Sequence, residues 1–292
     1  MRKSYSEASA RERVLGLLDA GSFSEFVPPS ERASSPHLAQ LDQPVAFDDG
    51  LIAGRGTLDG KPVLVAAQEG RFLGGAVGEV HGAKLVGLIR RAVEEQPAAV
   101  LILFDSGGVR LHEANAGLIA VSEILRAICA ARADGVRFVG LIGGSAGCFG
   151  GTGLIARCCD AIAISEEGRL AMSGPEVIET VHGVEEFDAR DRALVWRVTG
   201  GKHRYLLGEA DRICGDDIAA FRSAAIALTD GPAGLTLDAV EHEHLALAAR
   251  WRAFADCSDG VEVWRRLGVA EPEKIPMLTP EEFTALAGEL RS

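Results

Sequence analysis

Two glycine-rich stretches in the middle of the chain carry the residue types best suited to chemistry. VLILF at 100–104 is followed by DSGGVR, and VRFVGLI at 136–142 is followed by GGSAGCFGGTG. Glycine has no Cβ, so such turns can hold backbone N–H groups close to a ligand and adopt positive φ without strain. Two such turns at one sheet edge predict a cluster of backbone donors able to stabilise an oxyanion.

The elements that position these turns are predicted to be parallel strands. Apolar runs bounded by glycine are typical of strands covered on both faces. The alanine- and leucine-rich stretch 113–132 between them predicts a crossover helix, and strand–helix–strand implies parallel strands with a right-handed connection. After the second turn, TGLIARCC predicts a helix whose N-terminus points at the turn, and DAIAIS predicts a further strand.

The flanking segments complete an α/β fold with a helical C-terminal part. Ser9 and Glu12 have capping-box spacing, which predicts a helix over 8–18, and the proline-rich stretch from Val27 to Gln43, followed by Pro44, predicts an irregular connector. The turn pair Asp59–Gly60 predicts a hairpin with strands at about 51–57 and 62–68. Further helices are expected from Gly78 and over 188–198, 216–228, 236–255 and 280–290.

Composition excludes several classes of protein. The 292-residue chain has a net charge of −12, which argues against nucleic acid or an anionic membrane as the principal partner. Its six cysteines form no C-x-x-C pair, so reduced thiols are expected rather than a zinc ribbon or a disulfide scaffold. The N-terminal MRKSYSEASARER lacks the apolar core of a signal peptide. We therefore expect a cytoplasmic protein.

A serine hydrolase is one alternative. GGSAG at 143–147 matches G-x-S-x-G, the pattern of a nucleophile elbow, so Ser145 is a candidate nucleophile. The acid and base would have to come from residues such as Asp160 or Asp188 and His203, His242 or His244. The long glycine-rich run after Ser145 fits poorly with the single sharp turn of an elbow, which favours an ordinary serine in a turn.

Two other sequence patterns are weaker evidence for a binding site. GTGLIA at 151–156 matches the dinucleotide pattern G-x-G-x-x-A but lacks a clear acidic partner, so we interpret it as coincidence. In EHEH at 241–244, the histidines lie two residues apart and would point to different faces of a helix, which favours a solvated surface over a metal site. Gly74, Gly75 and Gly78 precede a helix and could bind an anion, or they could simply turn the chain.

Several motifs together resemble a known superfamily. The run GGTGLIARCCDAIAISEEGRLAMSGPEVIE at 150–179 resembles the crotonase superfamily, in which a Gly-Gly turn opening a helix supplies an oxyanion-hole amide. ARERVLGLLDAGSFSEF, GRFLGGAVGEVHGAKL and DSGGVRLHE are similar to biotin-dependent acyl-CoA carboxyltransferases and the β subunit of bacterial acetyl-CoA carboxylase. This resemblance covers about residues 10–215 in the same order. DSGGVRLHEANAG with GGSAGCFGGTG, and the whole length, are most similar to the β subunits of biotin-independent malonate decarboxylases.

The resemblance implies a fold and an activity. The fold would be the crotonase (ClpP-like) fold, with stacked β-sheets flanked by helices, residues 1–48 forming an N-terminal helix and connector and 49–292 a single carboxyltransferase-like domain. The activity would be decarboxylation of a malonyl thioester on an acyl carrier protein to an acetyl thioester and CO2. A γ subunit of the same fold and the carrier protein would be the partners. The CoA-like prosthetic group would belong to the carrier, and no metal or cofactor is implied for this chain.

The resemblance also assigns residues by position. Gly150 and Gly151 would offer oxyanion-hole amides, and Gly107 and Gly108 would line the same pocket. The binding of the carrier or its arm would fall to residues near the first turn: Gly74, Gly75, Arg71, Lys84 and Arg110. Since a chain at −12 needs a local positive patch to receive an acidic carrier, we expect docking near Arg71, Lys84, Arg90 and Arg91.

Departures from the relatives leave alternatives open. The four-cysteine zinc ribbon of the acetyl-CoA carboxylase β subunit is missing, and 292 residues leave no room for the second half of the fused carboxyltransferases. Both departures point to a partner subunit. A carboxyltransferase subunit working with biotin, a serine hydrolase using Ser145, and a chain that mainly scaffolds its partner remain as alternatives.

Overall fold

A seven-stranded sheet organises the fold. The computed structural model describes residues 3–42 and 49–291, and within them the strands lie side by side in chain order. Strands β1 to β3 pair antiparallel, and β3 to β7 pair parallel. Their bounds are β1 Ser24–Phe26, β2 Leu51–Leu58, β3 Lys61–Gln68, β4 Ala99–Phe104, β5 Phe138–Ile142, β6 Ala161–Ser165 and β7 Arg212–Cys214. The end of the predicted connector and its boundary at residue 48 lie outside the described residues.

Helices fill most of the remaining described chain. Their bounds are α1 Ala10–Leu17, α2 Pro36–Gln40, α3 Glu79–Glu95, α4 Ala116–Ala133, α5 Gly150–Arg157, α6 Pro175–His182, α7 Arg192–Thr199, α8 Gly201–Leu206, α9 Ile218–Thr229, α10 Leu237–Phe254, α11 Gly260–Arg266 and α12 Pro280–Arg291. The predicted capping box at Ser9 and Glu12 and the crossover helix between the two turns are confirmed. Helices α2, α6, α8 and α11 were not predicted, and α2 lies within the stretch predicted to be an irregular connector. Helices α2, α8 and α11 have only five to seven residues, too few to show a clear helical period.

The predicted hairpin is confirmed together with its turn. Asp59 and Gly60 both have positive φ, 50° and 74°, as a two-residue hairpin turn requires. The register pairs Leu58 with Lys61 and Leu51 with Gln68. Strand β3 of this hairpin also pairs with β4, so the hairpin joins the antiparallel part of the sheet to the parallel part.

Both faces of the sheet are covered, as the apolar strands require. Along β4, Ile102 and Phe104 face a core formed with α3 and α4, whereas Leu101 and Leu103 face a core formed with α1 and α9. The second core includes Tyr5, whose ring stacks on Phe221 at 3.8 Å between centroids. Helix α1, which was expected to lie in a segment separate from the domain at 49–292, thus packs in the core of that domain.

A second, smaller layer lies beyond the C-terminal ends of the strands. It consists of single bridges: Val77 to Val109, Ser106 to Cys148 and Cys148 to Leu170 are parallel, and Arg169 to Gly200 is antiparallel. The bridge residues lie in the loops that follow β4, β5 and β6 and in the segments before α3 and α8. The described residues form one sheet, and the stacked second sheet expected from the resemblance is represented by these isolated bridges alone, three of which involve the two glycine turns.

The C-terminal part is helical, as predicted, and has a small core of its own. Trp264, Ile275 and Phe283 are buried there against α8. The Lys202 ammonium group joins this core to the body, since Nζ donates to the carbonyls of Ile275 and Leu278 at 3.1 and 2.8 Å and pairs with Glu166 at 2.8 Å. In the part of the chain that the structure describes, no helix is long and apolar enough to cross a membrane.

Candidate active site

The two glycine turns meet at the C-terminal edge of the sheet. Because β4 and β5 are neighbouring parallel strands, the turns leave the sheet on the same side. Ser106 joins them: its amide donates to the Gly147 carbonyl at 2.7 Å, and its carbonyl accepts from the Phe149 amide at 3.0 Å. A Cβ built on Gly150 would lie 3.4 Å from the Gly108 Cα, so the two backbones line one narrow space. The predicted meeting of Gly107 and Gly108 with Gly150 is observed.

Most of the glycine amides in this space already have partners. The Gly107 amide donates to the Gly74 carbonyl at 2.8 Å, and the Gly108 amide to the Ser106 hydroxyl at 3.1 Å. The Gly150 amide donates to the Met172 carbonyl at 3.0 Å. These glycines therefore shape the space, and their N–H groups are directed into the protein. This differs from the expectation that both glycines of the second turn offer amides to a ligand.

The Gly151 amide is one of the donors that have no acceptor among the described residues. Gly151 is the second residue of α5, where an amide has no acceptor within its own helix. Among residues 3–42 and 49–291, no group accepts a hydrogen bond from it. The positive end of the helix dipole adds to its attraction for negative charge. A Cβ on Gly151 would lie 2.7 Å from Val121 Cγ2, so only glycine fits where α5 meets α4.

A buried ion pair holds the first turn against the second. Arg13 Nη1 lies 2.7 Å from Asp105 Oδ2, and both side chains are almost completely buried. The other carboxylate oxygen of Asp105 accepts the Ala146 amide at 2.7 Å, so one carboxylate joins α1, β4 and the second turn. Gly144 packs directly on this carboxylate: a Cβ there would lie 2.2 Å from Asp105 Cγ.

Sequence reasoning missed the part that Arg13 plays, although a signal was present. Arg13 is spaced by three residues from Ala10 and by four from Leu17, so it lies on the buried face of α1. A charged residue on an apolar helix face requires a buried partner. Asp105, at the end of an apolar strand, is the acid that meets this requirement.

Gly74 and Gly75 support the first turn. Gly75 has φ +66°, and a Cβ there would lie 1.8 Å from the Asp105 carbonyl oxygen, which no side chain could tolerate. The Gly74 carbonyl accepts the Gly107 amide. The structure thus favours the alternative that these glycines turn the chain and pack closely, rather than the anion site.

Two of the predicted carrier-binding cations are buried. The Arg110 guanidinium bonds to Glu113 at 2.8 Å and to the carbonyls of Asp49 and Ala76 at 2.9 and 3.1 Å. Lys84 Nζ pairs with Asp49 at 3.0 Å, with only 7% of its side chain exposed. The expected carrier patch is corrected accordingly, because neither cation is presented to a partner. Arg71, Arg90 and Arg91 are exposed.

The described residues do not assemble a serine nucleophile. Ser145 is exposed, but the proposed acid Asp160 is bonded to Arg132 and the Phe138 amide, each at 2.8 Å. His203 packs against Trp264 in the C-terminal core, and burial lowers the pKa of its imidazole to about 3. His242 and His244 lie on the exposed helix α10, as the solvated-surface interpretation predicted. The helix α5 starts five residues after Ser145 rather than directly behind it.

Comparisons with known proteins identify the family of this chain. A family model described as the carboxyl transferase domain matches residues 4–225. The chain is 41% identical over 99% of its length to the malonyl-S-ACP:biotin-protein carboxyltransferase MADC of Malonomonas rubra, of which it covers 97%. It is 37% identical, with a TM-score of 0.81, to a chain of a Pseudomonas malonate decarboxylase hetero-tetramer solved with malonate, covering 91% of this chain and 97% of that one.

A more distant structure extends the likeness in fold. The transcarboxylase 12S core, solved with methylmalonyl-coenzyme A and methylmalonic acid, is 25% identical with a TM-score of 0.67 and matches 78% of this chain. The predicted crotonase-type fold and the resemblance to malonate decarboxylase subunits are thereby confirmed. The chain belongs to the carboxyl transferase domain family.

Proposed function

We propose that this chain is the subunit of a malonate decarboxylase that decarboxylates a malonyl thioester carried on an acyl carrier protein. The observation that carries the proposal is the Gly151 amide, which lies at the N-terminus of α5 beside Gly150 and has no acceptor among the described residues. Full-length likeness to proteins named for malonyl-S-ACP and for malonate supports the substrate class.

The chemistry requires a place for negative charge. The bond between the α-carbon and the carboxylate carbon breaks, CO2 leaves, and the electron pair of that bond passes to the thioester oxygen as an enolate. The Gly151 amide and the α5 dipole would stabilise that oxygen as its charge develops, and one such donor is typically worth ~3–4 kcal/mol in the transition state. A proton then adds to the α-carbon, giving the acetyl thioester.

A partner subunit is part of the proposal. Large apolar side chains stay exposed on elements around the turns, among them Leu111 at 81%, Met172 at 60% and Leu118 at 53%. Exposed apolar patches of this kind mark protein interfaces. We propose that a second subunit of the same fold covers them, as the hetero-dimer and hetero-tetramer of the Pseudomonas relatives suggest.

The fate of the carboxyl group separates this proposal from a second candidate. The Malonomonas rubra relative is named for transfer of the carboxyl group to a biotin protein. In that case the same enolate would form, but the carboxyl group would pass to biotin.

The test is CO2 release by the purified heteromeric complex from malonyl-carrier protein, with and without avidin. Release that avidin does not affect supports direct decarboxylation. Labelling of an added biotin protein by the malonyl carboxyl group, with no CO2 released in its absence, supports the second candidate. A complex that produces neither CO2 nor carboxybiotin from an active carrier would contradict both.

The serine-hydrolase alternative is tested by replacing Ser145. Because the described residues place no acid–base pair at Ser145, we expect Ser145→Ala to retain turnover within about twofold of the original chain, well short of the large losses that follow removal of a catalytic nucleophile. Turnover of malonyl-carrier protein and labelling by a fluorophosphonate are the measurements. Loss of turnover together with loss of labelling would restore Ser145 as a nucleophile.

A further inference from the structure

Helix α10 is the longest helix of the C-terminal part, and it is held only loosely to the rest of the chain. None of its 18 residues is buried. Its contacts include the Arg250 guanidinium, 3.7 Å from the Glu209 carboxylate, and the Ala253 carbonyl, which accepts Arg266 Nη1 at 2.8 Å. Neither contact involves the glycine turns, so α10 has no part in the site described above.

One side of α10 carries a row of large side chains at the alternating spacing of three and four residues that is typical of paired helices. The row consists of Leu237, Val240, His244, Leu247, Trp251 and Phe254. All of its members except the histidine are apolar, yet Leu237 is 71% and Trp251 72% exposed. Exposed apolar surface of this kind marks a place where another protein surface binds.

The C-terminal half of the row borders a cleft between α10 and the rest of the chain. Leu247, Trp251 and Phe254 form one wall of this cleft, and residues of α8 and α11, such as His203 and Val263, form the other. Its volume is about 380 Å³. The cleft therefore has room beside the row for side chains from a second helix.

The charges of α10 are divided between its two halves, and this division selects the partner. Asp238, Glu241 and Glu243 lie in the N-terminal half, and Arg250 and Arg252 lie in the C-terminal half. Two copies of the helix side by side in the same direction would bring acid against acid and base against base. Two antiparallel copies bring acid against base at both ends, so the helix is complementary to itself in charge.

We propose that α10 binds α10 of a second copy of this chain, antiparallel, across a two-fold axis beside the middle of the helix. A two-fold axis uses the same surface on both molecules, as self-complementary charges require. It places Leu237 opposite Phe254 of the second copy. By the same rotation Val240 lies opposite Trp251 of the second copy, so both aliphatic side chains enter the cleft of the other molecule. This pairing goes beyond the proposed function and does not depend on it.

The same rotation pairs the charges that flank the row. Glu243 comes directly before His244 of the row, and Arg250 comes directly before Trp251, so both lie on the same flank. Glu243 of one copy therefore approaches Arg250 of the other. Within residues 3–42 and 49–291, Glu243 forms no ion pair, and Arg250 has only the pair with Glu209 at 3.7 Å. Pairing thus joins an apolar seam to two ion pairs along one flank.

The chain offers matched variants for a test. Leu237→Glu places a charge in the row, and Leu245→Glu is its control, because Leu245 lies on the same helix outside the row and is 67% exposed. Glu243→Arg places two cations together across the pair. The double variant Glu243→Arg with Arg250→Glu restores opposite charges with their signs exchanged. Such a restoration is specific to antiparallel pairing of two copies.

The experiment measures the mass of the purified heteromeric complex by sedimentation velocity over a wide range of protein concentration. We expect assemblies that contain two copies of this chain. Leu237→Glu should weaken the association about tenfold, the lower end for the loss of a buried leucine. Glu243→Arg should weaken it as well. Leu245→Glu and the double variant should associate as the original complex does. Because Leu237 and Leu245 are both exposed, their variants should keep the thermal unfolding midpoint.

Three results would overturn the proposal. The first is a complex that holds one copy of this chain at every concentration. The second is an association that Leu237→Glu leaves intact, which would place the contact between copies elsewhere. The third is an association that Glu243→Arg weakens and the double variant does not regain, which would mean that a different protein covers α10. No turnover is measured, so failure of the proposed function would leave each of these results unchanged.

Discussion

Arg13→Ala is expected to lower the free energy of unfolding by about 3–5 kcal/mol, the range typical when one partner of a buried ion pair is removed. The Asp105 carboxylate would then stay buried, with the Ala146 amide as its remaining strong donor. Arg13 also donates to the carbonyls of Tyr5 and Ser6, at 2.8 and 3.1 Å, and those acceptors would lose their partner. Urea denaturation followed by circular dichroism measures the change.

Arg11→Ala is the matched control on the same helix. Arg11 pairs with Glu25 at 2.9 Å, but 44% of its side chain is exposed, and surface pairs contribute about 0–1 kcal/mol. The double variant Arg13→Met with Asp105→Asn keeps an acceptor for the Ala146 amide while removing both charges, so it should regain part of the lost stability. Equal losses in Arg11→Ala and Arg13→Ala would mean that the ion pair does not hold the turns.

The glycine turns and their strands could be predicted because their signals are local. Apolar runs such as VLILF, the Asp59–Gly60 turn and the capping box at Ser9 each depend on a few neighbouring residues. Short elements escaped prediction for the same reason: α8 and α11 are stable because they pack around Trp264 and Lys202, and residues distant in sequence supply those contacts.

The sequence could not predict which backbone amides are free to donate a hydrogen bond to a ligand. Gly150 and Gly151 are equivalent in sequence, yet only Gly150 meets an acceptor, the Met172 carbonyl. That carbonyl arrives through the bridge between Cys148 and Leu170, which no local pattern encodes. The burial of Arg110 and Lys84 could not be predicted for the same reason. Both side chains bond to Asp49, which is far from either of them in sequence.

Gly150→Ala is expected to reduce kcat about 10²–10³-fold, the loss typical when one oxyanion donor is displaced. Gly150 has φ +57°, a left-handed conformation that costs a residue with a Cβ about 1–2 kcal/mol. The new methyl group would lie 3.4 Å from the Gly108 Cα, in the space between the turns, where the thioester oxygen is proposed to sit beside the Gly151 amide. Steady-state turnover of malonyl-carrier protein by the complex is the measurement.

Gly60→Ala separates backbone strain from damage to the site. Gly60 has φ +74° and a Cβ there meets nothing within 4 Å, so the substitution carries a similar conformational cost in the hairpin turn, away from the glycine turns. It should therefore lower stability by a similar amount and leave kcat unchanged. Equal losses of kcat in the two variants would attribute the effect to instability. Because the new methyl group would crowd the bound thioester as well as the enolate, Gly150→Ala should lower kcat/KM at least as much as kcat.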